Sequence, residues 1–89
     1  MIDKLDGADV LMISDFGHYH YIKTVSSDDA GVEVCYYAIC KYENDDGIYL
    51  FSCDVNMSVV GDSLFDSEDD AVQCAERWAE TSITWIKQS

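Results

Sequence analysis

The sequence predicts an α+β fold: an antiparallel β-sheet of three to five strands with one C-terminal helix packed on one face. Three observations point there. Short β-rich segments alternate with turns built from Asp, Asn and Gly. After Ser67, apolar residues recur at helical spacing. A hydrophobic content of 48% with 12% aromatics is enough for one core, so the 89 residues form a single domain, 1–89.

The strands come first along the chain. Val10 to Ser14 is a short apolar strand, and Asp15-Phe16-Gly17 can turn it back. His18 to Ser26 is rich in residues that suit a pleated surface. Residues 27–31 form a second turn, Val32 to Glu43 a long strand, and Asn44 to Gly47 a third turn. Ile48 to Val55 follows as a strand. Val59-Val60 begins either a short further strand or a loop running to Phe65.

The third turn suggests a register. Asp46-Gly47 at the centre of a type I′ turn pairs Tyr42 with Phe51, Cys40 with Cys53 and Ala38 with Val55. One face is then Val32, Val34, Tyr36, Ala38, Cys40, Tyr42, Tyr49, Phe51, Cys53 and Val55, without a charge, as a core face requires. The other face carries Glu33, Lys41, Glu43 and Asp54 around a strip of Tyr37, Ile39 and Leu50. That strip is either covered by N-terminal residues or a contact surface.

Ser67 is an N-cap with Asp70 three residues on, and acids fill the first turn. Ala71, Cys74, Ala75, Trp78, Ala79, Ser82 and Trp85 make one helical stripe, with Trp78 as its core anchor. Thr81 to Ile86 is β-branched and could instead end the helix near Glu80 and form a terminal strand. No Gly, Asn or Pro marks that break, so the helix is expected to run to about Lys87 and to lie across the apolar, charge-free face of the sheet.

Charge excludes several classes. Eighteen Asp and Glu against five Lys and Arg give −13 at pH 7. That argues against direct nucleic-acid binding and against anionic membranes. No apolar run approaches a membrane span, and the acidic N-terminus does not read as a secretory signal. A cytoplasmic location is expected, with Cys35, Cys40, Cys53 and Cys74 as reduced, packed thiols.

Signs of catalysis are few. No phosphate-binding glycine loop or nucleophile motif is present, and the acidity disfavours a thiolate. No enzyme activity and no cofactor are expected. His18-Tyr19-His20 puts two imidazoles on one strand face, but no third ligand stands at a recognisable spacing, so no metal is assigned. Neighbouring carboxylates should raise both imidazole pKa values.

The acids themselves are more informative. Between Lys41 and Arg77 lie 35 residues with ten acids and no base. Alternate strand residues repeat at about 6.6–6.8 Å and i,i+4 helix positions at roughly 6 Å. Carboxylates at such spacings can stand in for successive phosphates. Candidate contacts are Asp45, Asp46, Asp62, Asp66, Glu68, Asp69, Asp70, Glu76 and Glu80, with Tyr37 and Phe65 as aromatic anchors.

Small size, extreme acidity, reduced cysteines and a compact α+β body resemble phage anti-defence proteins of the anti-CRISPR and DNA-mimic kind. The resemblance covers size and charge over the whole chain and rests on no motif. Those proteins share no common fold, so no residues are carried across. It implies an inhibitor that occludes a basic nucleic-acid-binding protein. A bacterial immunity protein that neutralises a basic nuclease toxin is similar in the same respects. A different class is a homo-oligomeric module, a dimer for instance, joined through the Tyr37/Ile39/Leu50 strip or an edge strand.

Overall fold

A computed structural model describes residues 3–22 and 31–87. They form β1 (Lys4–Leu5), β2 (Ala8–Ser14), β3 (His20–Ile22), β4 (Val32–Val34), β5 (Tyr36–Lys41), β6 (Ile48–Cys53), β7 (Val59–Phe65), α1 (Glu68–Trp78) and β8 (Trp85–Lys87). Among the described residues the fold is α+β, mostly antiparallel sheet with one helix. The expected end of the second strand at Ser26 and most of the second turn lie outside the described residues.

The main sheet has six strands rather than three to five, ordered β1-β2-β5-β6-β7, with β8 also on β2. Lys4 and Leu5 pair with Asp9 and Ala8, while Trp85 to Lys87 pair with Ser14 to Met12. β1 and β8 therefore divide one edge of β2 between them, and β5 takes the other.

The hairpin of β1 and β2 was not expected from the sequence. Asp6 and Gly7 both have positive φ (54° and 84°) and close the β1–β2 hairpin, with Leu5 opposite Ala8. Positive φ at both central residues defines a type I′ turn. Asp46 and Gly47, where that turn was expected, do not take positive φ. Residues 42–47 form a wider loop instead. Within it the Asp45 carboxylate accepts the Gly47 N–H at 2.8 Å, and the Asp45 N–H donates to the Tyr42 carbonyl at 3.2 Å.

The wider loop moves the register. Cys40 lies opposite Tyr49 and Ala38 opposite Phe51, so Cys40 and Cys53 are not cross-strand neighbours. The shift from Cys53 to Tyr49 is four positions, an even number, so each β5 or β6 side chain keeps its expected face. Val55 lies beyond β6 and is exposed.

The long strand expected from Val32 to Glu43 breaks at Cys35. There the Cys35 N–H donates to the Cys53 carbonyl, and the Cys35 carbonyl accepts from Gly17 N–H. β4 leaves the main sheet and pairs with β3. Val34 consequently faces the helix-side cluster, not the face of Tyr36.

The helix starts where the sequence places it. Ser67 Oγ accepts the Asp70 N–H at 3.1 Å, and Glu68, Asp69 and Asp70 occupy the first turn. It ends at Trp78, well before Lys87, and Ala79 is already extended. The β-branched run beyond it is a poor helix former, and pairing with β2 takes up the chain from Trp85 to Lys87. The helix is therefore not C-terminal among the described elements.

Both sheet faces are buried. Tyr37, Ile39, Ile48 and Leu50 cluster with Ala71, Cys74 and Ala75 of α1 and with Tyr19 and Val34. Ala8, Val10, Ile13, Ala38, Cys40, Phe51 and Cys53 form the second cluster. The helix thus lies against the strip first read as partly polar. Trp78 is no core anchor: it is 42% exposed.

Candidate functional site

The chain's chemistry divides between the two ends of the main sheet. At one end, Ile48 pairs with Phe65, which brings the 42–47 loop beside the junction of β7 and α1. Gly47 packs so closely on the Leu64 side chain that an added Cβ would collide with it. Asp45 and Asp46 come from the loop, and Asp66, Glu68, Asp69 and Asp70 from the junction and first helical turn. All six are exposed. Lys41 and Asp9 face each other across β2 and β5 nearby, and Lys4 pairs with Asp9 at 2.6 Å.

Asp45 differs from its neighbours. The Gly47 N–H and the Tyr49 hydroxyl, at 2.8 Å each, hold its carboxyl below the usual carboxylate range. Its charge is fixed in the loop, whereas the acids at the start of α1 point into solvent from a capped helix end.

The remaining candidates lie elsewhere. Asp62 is opposite Phe51 in the middle of β7, on the face away from the helix. Glu76 accepts the Trp85 indole N–H at 3.4 Å, and the Glu80 backbone N–H donates to the Tyr19 carbonyl at 2.8 Å. Both belong to the far end of the helix. Tyr37 is fully buried and cannot be a surface anchor. Phe65 is half-buried against the helix-side cluster. The Tyr37/Ile39/Leu50 strip is fully buried too, so it offers no dimer surface.

At the opposite end, the loop joining β2 and β3 folds onto the β4–β5 break. The two histidines part company here. His18 is exposed, and its Nδ1 lies 2.9 Å from Glu33 Oε2. His20 Nδ1 is hydrogen-bonded to the Tyr37 hydroxyl, and its ring stacks on Tyr37 at 5.7 Å. His20 was expected to have a raised pKa; burial instead pushes it down, outweighing the Glu80 carboxylate. The Tyr19 hydroxyl donates to the Asp15 carboxylate, which also accepts the Thr84 N–H at 3.2 Å. These bonds hold the Asp15 carboxyl below the usual range, and burial pushes the Tyr19 phenol up to about 12.

Among the described residues, His18, Glu33 and Cys35 could hold a metal ion, with one donor atom each, all within 4.8 Å of one another. Sequence reasoning missed Glu33 and Cys35, because their pairing with His18 depends on a break inside a strand. The one available signal was alternation, which puts residues 33 and 35 on the same side of an extended chain.

No helix among the described residues is long and apolar enough to cross a membrane. Comparison with protein-family models, curated proteins and solved structures finds no match for this chain.

Proposed function

We propose that this protein is an acidic inhibitor that docks on the basic, nucleic-acid-binding surface of a partner protein and blocks it by occlusion. The mode is that of anti-CRISPR and DNA-mimic proteins. The observation that carries this reading is the exposed carboxylate group at one end of the sheet. Asp46, Asp66, Glu68, Asp69 and Asp70 arrive there from two chain segments held by the Ile48–Phe65 pairing. A fixed frame lets such charges match a basic groove with little backbone ordering on binding. A net charge of −13 has a cost in self-repulsion that a basic partner would relieve. An immunity protein facing a basic nuclease would use the same surface, so the partner's identity alone separates those two.

The test is affinity capture from the source organism's lysate, with duplex DNA as competitor. A basic nucleic-acid-binding protein should be retained, released by DNA, and released by rising salt. Asp69→Lys combined with Asp70→Lys should abolish retention while leaving the fold intact. Retention unchanged by salt, DNA and the double reversal would sink the proposal.

A further inference from the structure

We propose that His18, Glu33 and Cys35 form a binding site for one zinc ion. The site lies at the end of the sheet away from the clustered acids, and it does not depend on the inhibitor reading.

The backbone prepares the geometry. The Gly17 N–H donates to the Cys35 carbonyl at 3.0 Å, and the Tyr19 N–H to the Val34 carbonyl at 3.0 Å. These two bonds bracket His18 and fix its Cα against the β4–β5 junction. Glu33 and Cys35 are two residues apart on extended chain, so both side chains project toward it. His18 Nδ1 is 2.9 Å from Glu33 Oε2, and Cys35 Sγ is 3.5 Å from Glu33 Oε1. Phe16 meets the His18 ring edge-on at 5.4 Å and also contacts Tyr36, which limits the ring's orientations.

Distances decide whether a metal fits. Ordinary zinc bond lengths in a tetrahedron place N, O and S donors about 3.4–3.6 Å apart. The His18–Glu33 contact must therefore open by about half an ångström, and a pair at the 4.8 Å limit must close by about one. The His18 side chain is 70% exposed, so a shift of that size meets solvent on most sides while the ring keeps its edge-on contact with Phe16. Cys35 is buried, and its backbone is held on both sides by bonds to Cys53 and Gly17.

The donor types select the ion. Calcium and magnesium take oxygen ligands, whereas imidazole with thiolate suits zinc. On binding, the Cys35 thiol loses its proton to solvent, and thiolate plus carboxylate neutralise the dication. Three protein ligands leave the fourth position for water or for a donor from a partner.

The experiment titrates the full-length, reduced protein with Co²⁺ and then displaces it with Zn²⁺. One equivalent should bind, with a thiolate-to-cobalt charge-transfer band in the near ultraviolet. His18→Ala should weaken zinc binding at least about tenfold, since even outer-shell changes cost that much. Cys35→Ser should remove the band, and Cys74→Ala should keep it. Asp69→Asn with Asp70→Asn should leave binding unchanged, which separates the site from general attraction of cations to an acidic surface. His18 is exposed, so His18→Ala remains decisive if Cys35→Ser fails to fold. Absence of the band, or unchanged affinity in His18→Ala, would overturn the proposal.

Discussion

The two faces of the central sheet are buried at their centres by different means. One is closed by a second layer: α1 contributes Ala71, Cys74 and Ala75, whose small side chains let the helix approach Tyr37, Ile39 and Leu50 closely. The other has no helix residue in its cluster. It is closed by Leu5, Tyr36, Tyr42, Tyr49, Met57 and Val59 around its rim. Tyr42 and Tyr49 meet edge to face at 5.2 Å, and their hydroxyls reach the Asp6 carbonyl and the Asp45 carboxylate. A tyrosine can cover apolar neighbours with its ring while its hydroxyl stays at the polar edge. In a domain this small, a ring of such residues can replace a whole packing layer.

The comparison breaks most readily at its centres. Leu50→Ala on the helix side should cost about 2–5 kcal/mol, and Phe51→Ala on the rim-closed side about 3–5 kcal/mol. Both side chains are almost wholly buried, so both leave a cavity. Urea unfolding measures the two losses. A Phe51→Ala loss below about 1 kcal/mol would mean that water reaches the rim-closed face, and that its burial is not equivalent to the helix side.

The sequence showed which residues share a face and not which face the helix would take. Side-chain alternation survives an even register shift, so the grouping of Tyr36, Ala38, Cys40, Tyr49, Phe51 and Cys53 was legible despite the wrong turn. Freedom from charge was a poor guide to helix contact, because Glu33 leaves the main sheet with β4 and its charge never meets α1. The Asp-Gly signal was sound chemistry applied at the wrong copy: Asp6-Gly7 takes the type I′ turn, while the Asp45 carboxylate holds the second Asp-Gly in a wider loop. The helix start was readable from Ser67. Its end was not, since β8 forms by pairing with a strand some seventy residues away (Ile86 with Ile13). The acid-rich end was legible as composition, but only the Ile48–Phe65 pairing brings its two segments together.

Alkali sharpens the contrast. Burial pushes the Cys40 and Cys53 thiols up to about 12 from an ordinary 9.0. A raised folded pKa gives stability that is complete below pH 9 and is lost as pH climbs toward 12. At pH 10 each thiol should cost on the order of 1 kcal/mol. On the helix side burial also raises the Cys74 thiol from 9.0, while the raised phenols of Tyr19 and Tyr37 add their loss only above their ordinary value of 10.0. Mild acid, above the carboxylate range, acts on the helix side instead. His20 has a lowered pKa, so the stability it carries above pH 6.5 is lost as pH falls below that value. Urea midpoints measured across pH should show both limbs. Cys40→Ala with Cys53→Ala should make the alkaline limb shallower, the rest coming from the other raised thiols and phenols, and leave the acid limb unchanged. If the alkaline limb keeps its slope, those two thiols already ionise freely in the folded protein.

The smallest expected effect belongs to the residue that looked largest in the sequence. Trp78 ends α1 with its ring 5.9 Å from that of His20, and with Ile22 it lines an apolar groove of about 340 Å³. With 42% of the residue in solvent, Trp78→Ala removes only part of a buried indole's contribution and leaves no enclosed cavity. The loss should be about 1–2 kcal/mol, below the roughly 3–5 kcal/mol of a fully buried large-to-small change. It should also be independent of protein concentration, because nothing in a single copy needs the groove to be covered. A loss above about 3 kcal/mol that grows with protein concentration would mean that a second copy covers the indole in solution. The helix-side cluster would then continue across a dimer interface, and the rim-closed face would be the only one a single chain completes by itself.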